Sequence, residues 1–204
     1  MTFCCECLHW VDVLSTFLIV CSCSAHLVTS AIFLPSVLSS LSPPSQDLLL
    51  RTYFAYTIAT FVFRGRPSLN IKSLYESQET AYPIPGGAQP TPHDKTLPLA
   101  GADPNRIKAI TPNPWLPIME TSISHPNEHL IKLQRALAHF STLFGHRAQG
   151  AGEGGLEGAA QEVEGAELLD GTLFIRVAGL TAKKMGRVRE GEAPGQWDLS
   201  GIQL

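Results

Sequence analysis

The segment SISHPNEHLIKLQRALAHF, residues 122–140, decides the fold because it predicts a long amphipathic helix. Pro126 has no backbone donor and suits a first helical turn, so we expect the cap at Ser124 or His125 and the helix body from there to about Phe144. Its apolar side chains recur at three and four residues: Leu130, Leu133, Leu137, Phe140 and Phe144. This stripe would face a core. At about 100° per residue, the histidines of the segment fall on the flank of the stripe.

Further helices are expected on both sides of this segment. Residues 25–41 predict an apolar helix that the prolines at 43 and 44 end, and Ser45 would cap a helix over 46–63. Apolar side chains cover nearly every side of that second helix, so we expect it to be buried all round. Short helices are expected at 104–110 and 114–121. Residues 172–186 predict a last amphipathic helix, with Lys183 and Lys184 near its carboxyl end.

The connections between these helices are long and rich in Pro or Gly. Residues 77–104 cannot hold a regular element, and residues 145–167 are expected to form a flexible linker. The linker contains Gly150-x-Gly152-x-x-Gly155, which spells a dinucleotide fingerprint, but no strand precedes it, so we assign no cofactor loop there. The fold class expected is mostly α: an irregular helical bundle with long Pro/Gly-rich loops, forming an incomplete domain over residues 25–204.

The first 24 residues differ from the rest. All five cysteines lie there, at positions 4, 5, 7, 21 and 23. Their odd number is a poor disulfide framework, and their spacing lacks the paired motifs of a zinc site. Residues 13–46 contain no charged residue, so a membrane helix within 13–41 is an alternative to a cytoplasmic chain. A misread segment joined near residue 24 is a third interpretation.

Composition excludes one class of partner. Charged residues make up 16% of the 204 residues, apolar residues make up 44%, and the net charge is −3. No run of Lys or Arg occurs, whereas a nucleic-acid surface needs a basic patch. We therefore expect no nucleic-acid partner.

The cluster His125-Pro126-Asn127-Glu128-His129 admits three interpretations. It matches the H-x-x-E-H order of an inverted zinc-peptidase motif, but no acidic ligand follows at a recognisable spacing, and we predict no metal. It could instead be structural, with Glu128 favouring the positive end of the helix. A proton-transfer role for His125 or His129 is the third interpretation, because imidazole titrates near neutral pH.

The same segment carries a family resemblance. The run from His125 to Leu130, with Lys132 and Arg135-Ala136-Leu137, resembles the His-Pro-Asp/Asn-Glu-His-Leu-x-Lys-x-x-Arg-Ala-Leu signature of fungal questin oxidase-like proteins. Three further blocks agree in order: HLVTSAIFLPSVL from residue 26 with RTYFAYTIATFVFRGRP to residue 67, NPWLPIMETSIS from residue 113, and DGTLFIRVAGLT from residue 170 with QWD at 196–198. Members of this family are typically longer, so the resemblance also implies a truncated carboxyl-terminal portion.

The resemblance implies an oxidoreductase of polyketide secondary metabolism, of the Baeyer–Villiger type. Such an enzyme uses NADPH and molecular oxygen to open the central ring of an anthraquinone, so the expected partner is an aromatic polyketide-like molecule; a flavin is left undetermined. The catalytic groups expected are His26, His125, Glu128 and His129. The substrate-binding groups expected are Tyr53, Phe54, Trp115 and Arg135. The alternative is a catalytically inert fragment of such an enzyme, associated with a membrane.

Overall fold

A computed structural model describes residues 22–66, 70–76, 113, 115–145 and 165–197. These residues form helices joined by turns, without a strand among them, which confirms the mostly α prediction. The helices are α1 Ser22–Ala31, α2 Leu34–Ser39, α3 Pro43–Phe63, α4 Ile71–Glu76, α5 Trp115–Ser124, α6 Glu128–Phe144 and α7 Leu173–Met185, with 3-10 helices Ala166–Leu168 and Val188–Glu190. The cysteines at 4, 5, 7 and 21, the loop of 77–104, the helix of 104–110 and residues 146–164 of the linker lie outside the described residues.

The centre of the described fold is α6, which packs against α7, α1 and α5. The stripe predicted for this helix is buried, apart from Phe144, which is partly buried against the core. The side chains that meet it include Val28 from α1, Ile118 from α5, and Phe174 and Val177 from α7. Each apolar side chain removed from water here stabilises the fold by about 1.5–3 kcal/mol.

The start of α6 differs from the prediction. The helix begins at Glu128, and its cap is Asn127, which has extended backbone angles and accepts a hydrogen bond from the His129 N–H at 3.0 Å. Pro126 precedes the helix instead of lying in its first turn. The reason is the restriction that a proline places on the residue before it, which disfavours helical angles at His125. His125 therefore connects two helices and does not belong to the flank of α6.

Two prolines also shift the helices near the amino end. The helix predicted over 25–41 is interrupted after Ala31, because Pro35 lacks an N–H and its ring would clash with the carbonyl of Ala31 in a continuous helix. The prolines at 43 and 44 occupy the first turn of α3, where the missing donor costs nothing, and Ser42 is the cap. They start a helix and do not end one.

The prediction that α3 is buried all round is wrong for the described part of the chain. Only Thr57 of α3 is buried, while the exposed fractions of Leu48, Tyr56 and Phe63 are 67%, 65% and 62%. Among the described elements, α3 packs on α1. A helix that is apolar on every side carries no stripe to specify which side faces a partner.

None of the helices in the described ranges combines the length and the hydropathy needed to cross a membrane. Residues 13–21 of the membrane alternative lie outside those ranges.

The last long helix agrees with its prediction. α7 runs from Leu173 to Met185, with both lysines in its last turn. Its amino end is tied to α4 by Tyr75, whose hydroxyl donates to the Asp170 carboxylate at 3.1 Å and accepts from the Asp170 N–H at 3.0 Å. The Arg176 guanidinium lies 4.6 Å from the centre of the Tyr75 ring. These contacts fix the α7 direction, and thereby the position of its carboxyl end near α6.

Candidate functional site

His125 is buried between the end of α5 and the start of α6, with 7% of its surface exposed. Its Nδ1 accepts a hydrogen bond from the Asn127 N–H at 3.0 Å, so the ring is the neutral tautomer that carries its proton on Nε2. That Nε2 donates to the carbonyl of Met185 at 2.8 Å. The ring thus satisfies one of the last carbonyls of α7, which have no partner within their own helix. Both ring nitrogens are engaged in holding two helix ends together.

Asn127 joins three parts of the site. Its side-chain oxygen accepts the His129 N–H at 3.0 Å, as a helix cap does, and also the indole N–H of Trp197 at 3.2 Å. The two donors, His129 and Trp197, are 68 residues apart in the sequence. A single oxygen therefore links the start of α6 to the segment after α7.

Residues 192–197, here called the strap, lie directly against the end of α7. The Gly195 N–H donates to the Met185 carbonyl at 2.6 Å, so this oxygen accepts from both Gly195 and His125. A Cβ at Gly195 would lie 2.3 Å from the Lys184 carbonyl oxygen, and one at Gly186 would lie 2.1 Å from the Ala193 carbonyl oxygen. Only glycine permits this close approach at both positions.

The strap and the start of α6 form the two walls of an open cleft of about 540 Å³. One wall consists of His125, Pro126, Asn127 and His129, and the other of Pro194, Gly195, Gln196 and Trp197. The His26 ring, exposed on α1, lies beside the His129 ring with their centres 5.0 Å apart. In the described part of the chain, the His129 ring makes no hydrogen bond, and it is partly exposed. His129 is therefore the histidine available to a molecule in the cleft.

Glu128 points to solvent and does not line the cleft. Its carboxylate pairs with the Lys132 ammonium at 3.1 Å. The hydrogen bond and charge of Lys132, followed by the charge of His129, lower the pKa of this carboxyl group. A carboxylate in the first turn of α6 favours the positive end of the helix.

The inverted zinc-peptidase interpretation does not match this geometry. His125 lies outside the helix, and both of its ring nitrogens are bonded to backbone groups. Within the described ranges, no group of three or more His, Cys, Asp and Glu side chains is arranged to share a metal ion.

The four residues predicted to bind substrate lie elsewhere than in this cleft. The Tyr53 hydroxyl donates to the Leu27 carbonyl and so joins α3 to α1, and burial raises its pKa. Phe54 is on an exposed part of α3, and Arg135 is exposed on α6. Trp115 packs against the core cluster. The presence of an apolar or basic residue in the sequence does not show where its side chain points in a helix, since adjacent side chains are about 100° apart around the axis.

Asn127 and Trp197 line the cleft but were not among the predicted site residues. Asn127 stands inside the quoted motif, and its preference for helix caps was a usable signal. Trp197 stands in the QWD block of the resemblance, yet no pattern in the sequence indicated that it meets Asn127. Of the groups expected to be catalytic, His125 and His129 line the cleft, and the His26 ring lies beside the His129 ring. Glu128 is exposed and does not line the cleft.

Comparison with known proteins adds one finding. The family model described as Questin oxidase-like matches residues 23–137, which is more than half of the chain. No curated protein and no solved structure matches the chain. The matched residues include α1, α3, α5 and the first part of α6, and therefore one wall of the cleft.

Proposed function

The chain belongs to the questin oxidase-like family, and from that premise we propose that it binds a flat aromatic substrate in the cleft beside His129 and oxidises it. Membership of this family indicates an oxidoreductase. The observation that carries the assignment to this cleft is the His129 imidazole, which borders a space of about 540 Å³ and has Trp197 in the opposite wall. Ligand sites are typically concave and largely apolar, with a few polar groups that orient the ligand.

The reaction that we propose is oxygen insertion next to a ring carbonyl of an anthraquinone-like molecule. One atom of molecular oxygen enters between the carbonyl carbon and its neighbour, the C–C bond between them breaks, and the second oxygen atom leaves as water. NADPH and a proton supply the two electrons and the hydrogen that water formation requires. The resemblance supports this reaction and its place in fungal polyketide metabolism. We propose that the reaction takes place in the cytoplasm.

In this proposal the three histidines in and beside the cleft have different roles. His129 holds or moves a proton at the substrate carbonyl, because its ring borders the cleft and imidazole exchanges protons near neutral pH. His26 lies against that ring and assists in proton exchange with solvent. His125 orients the wall through its two backbone hydrogen bonds and moves no proton.

The cleft does not fit the dinucleotide itself. Among the described residues that line it there is no Arg or Lys, so no fixed positive charge would meet the phosphates of NADPH. The lining fits an uncharged ring system instead. We accordingly derive no step from NADPH bound at this cleft.

The test is turnover by the full-length chain with 1,8-dihydroxyanthraquinone as substrate. Oxygen uptake and NADPH oxidation should be stoichiometric, and His129→Ala should lower kcat by about 10²–10⁴-fold, the range that general acid–base groups contribute. His139→Ala is the matched control, because His139 is an exposed histidine of the same helix outside the cleft. Absence of turnover by the parent chain, or equal activity of the two variants, would contradict the proposal.

A further inference from the structure

We propose that Trp197 is the stacking platform for the substrate ring and that Asn127 is the positioning residue that holds it there. Together they would give the cleft its preference for planar over non-planar molecules. The inference rests on the proposed function, because it concerns the same cleft and the same class of ligand. It goes further by assigning specificity to two residues that the family signature does not explain.

Trp197 is held from two sides. Its side chain is partly buried against the core cluster, and its N–H donates to the Asn127 side-chain oxygen at 3.2 Å. Trp197 also lines the cleft. An indole fixed at both its apolar body and its polar tip has little rotational freedom left. It therefore offers a ligand an aromatic surface without a large ordering cost.

The backbone that carries Trp197 is also held. The Glu192 carboxylate accepts the Arg187 N–H at 2.8 Å, and the Glu192 N–H donates to the Arg187 carbonyl at 3.2 Å. Further along, the Gly195 N–H is bonded to Met185 at 2.6 Å. These bonds anchor the strap before and within the cleft wall. The position of the indole is thus set before a ligand arrives.

The Asn127 oxygen couples this platform to the proposed proton-transfer group. It lies 3.2 Å from the Trp197 indole nitrogen and 3.0 Å from the His129 backbone nitrogen. A ring that stacks on Trp197 consequently lies beside the start of α6, where His129 borders the cleft. The described lining has no Arg, Lys, Asp or Glu, and together with its two prolines it suits a flat, neutral ring system.

Asn127 acts only through its two neighbours, so its variants separate its two hydrogen bonds. Asn127→Asp keeps a side-chain oxygen at the same reach and should preserve both. Asn127→Ser can still cap α6, because serine is a good cap, but its shorter side chain cannot reach the indole. The serine variant should release Trp197 and leave the helix start in place.

The experiment measures binding and needs no turnover. In the full-length Trp10→Phe/Trp115→Phe chain, Trp197 is the only tryptophan left, since the sequence has three. Titration with 1,8-dihydroxyanthraquinone should quench its emission saturably. Adding Trp197→Leu and following the intrinsic absorption of the bound probe instead should show an affinity about tenfold lower, as expected for a lost stacking partner. Trp197→Phe, which keeps a ring but loses the N–H, should bind with an intermediate affinity.

Selectivity provides the readout that a merely structural role would not change. The parent should bind the planar probe more tightly than a saturated tricyclic ketone of similar size. This ratio should approach one in Trp197→Leu and fall in Asn127→Ser, whereas Asn127→Asp should restore it. Circular dichroism melting identifies any variant that has not folded. If Trp197→Leu does not fold, the planar preference of Trp197→Phe is compared with that of the parent.

Three results would overturn the inference: no saturable quenching in the parent, equal affinity in Trp197→Leu, or an unchanged planar preference in that variant. Failure of the proposed function is distinguishable from these. Tight, Trp197-dependent binding without oxygen uptake would sustain the platform and reject the oxidation chemistry. Turnover that is unchanged by Trp197→Leu would sustain the oxidation chemistry and reject the platform.

Discussion

Replacing His125 by alanine should lower the free energy of unfolding by about 2–4 kcal/mol. The ring makes one hydrogen bond to the Asn127 N–H and one to the Met185 carbonyl, at 3.0 and 2.8 Å. Each such bond contributes about 0.5–1.5 kcal/mol. Loss of the ring from a site that is 7% exposed removes about 1 kcal/mol more of buried contact. For a chain of this size, the melting temperature should fall by roughly 10 °C.

Two conservative variants divide this loss between its causes. In His125→Asn, the amide oxygen can take the place of Nδ1 and keep the Asn127 bond, while the Met185 bond is lost. In His125→Gln, the amide nitrogen can take the place of Nε2 and keep the Met185 bond. Each variant should therefore lose about half of what alanine loses.

The assay is urea unfolding followed by circular dichroism, with His129→Ala as the comparison. The midpoint should shift to lower urea with an unchanged slope in the His125 variants, because stability changes and the surface exposed on unfolding does not. His129→Ala should change the free energy by less than about 1 kcal/mol, since its ring is partly exposed. A His125→Ala chain as stable as the parent, but without turnover, would refute the assignment of His125 to structure and return it to catalysis.

The remaining predictions concern two polar side chains away from the cleft, one partly buried and one fully buried. Burial raises the pKa of Tyr75, so the folded chain keeps the phenol proton to a higher pH than the unfolded chain does. The contribution of Tyr75 to the free energy of unfolding should therefore be complete below about pH 10 and decrease above it. In urea titrations at alkaline pH, Tyr75→Phe should lose less stability with rising pH than the parent. Gln134 is fully buried, and its side-chain oxygen has no hydrogen bond within the described chain. Gln134→Met should therefore raise the free energy of unfolding by about 1 kcal/mol. Gln134→Ala, which leaves a cavity, should lower it by about 2 kcal/mol.

The buried face of α6 could be predicted from the sequence because helix geometry alone determines it. Leu130, Leu133, Leu137 and Phe140 recur at helical spacing, and all four are buried. The residue that caps this helix was not predicted correctly. Two signals competed there, the preference of proline for a first turn and its restriction of the preceding residue, and the second decided the outcome.

The cleft could be predicted only in part, because its walls come from distant parts of the chain. The resemblance implied that His26 and His129 are both catalytic groups, and the centres of their rings lie 5.0 Å apart. The meeting of Asn127 with Trp197 depends on the direction of α7 and on the strap, which no local pattern specifies. Tyr53 stays a predicted substrate-binding residue but does not line this cleft, and its hydroxyl is bonded to Leu27. The helix that carries it is apolar on all sides, so tertiary contacts determine which side faces α1.

The motif His-Pro-Asn-Glu-His now has a physical reason at each of its main positions. The proline keeps His125 out of the helix and free to bond the end of α7. Asn127 caps α6 and holds the indole, and His129 is left facing the cleft. A motif that resembles a metal or catalytic cluster is thus mainly a joint between two helices, with one histidine available for chemistry.

This arrangement makes the cleft sensitive to residues beyond the family match, which ends at residue 137. The second wall depends on the strap, and the strap depends on glycine at position 195, where an added Cβ would lie 2.3 Å from the Lys184 carbonyl oxygen. Gly195→Ala must therefore displace the strap, and with it Trp197, although it alters no residue of the motif. Because His125 and Gly195 donate to the same Met185 oxygen, such a displacement should loosen the motif side as well, so the two walls should respond as one unit.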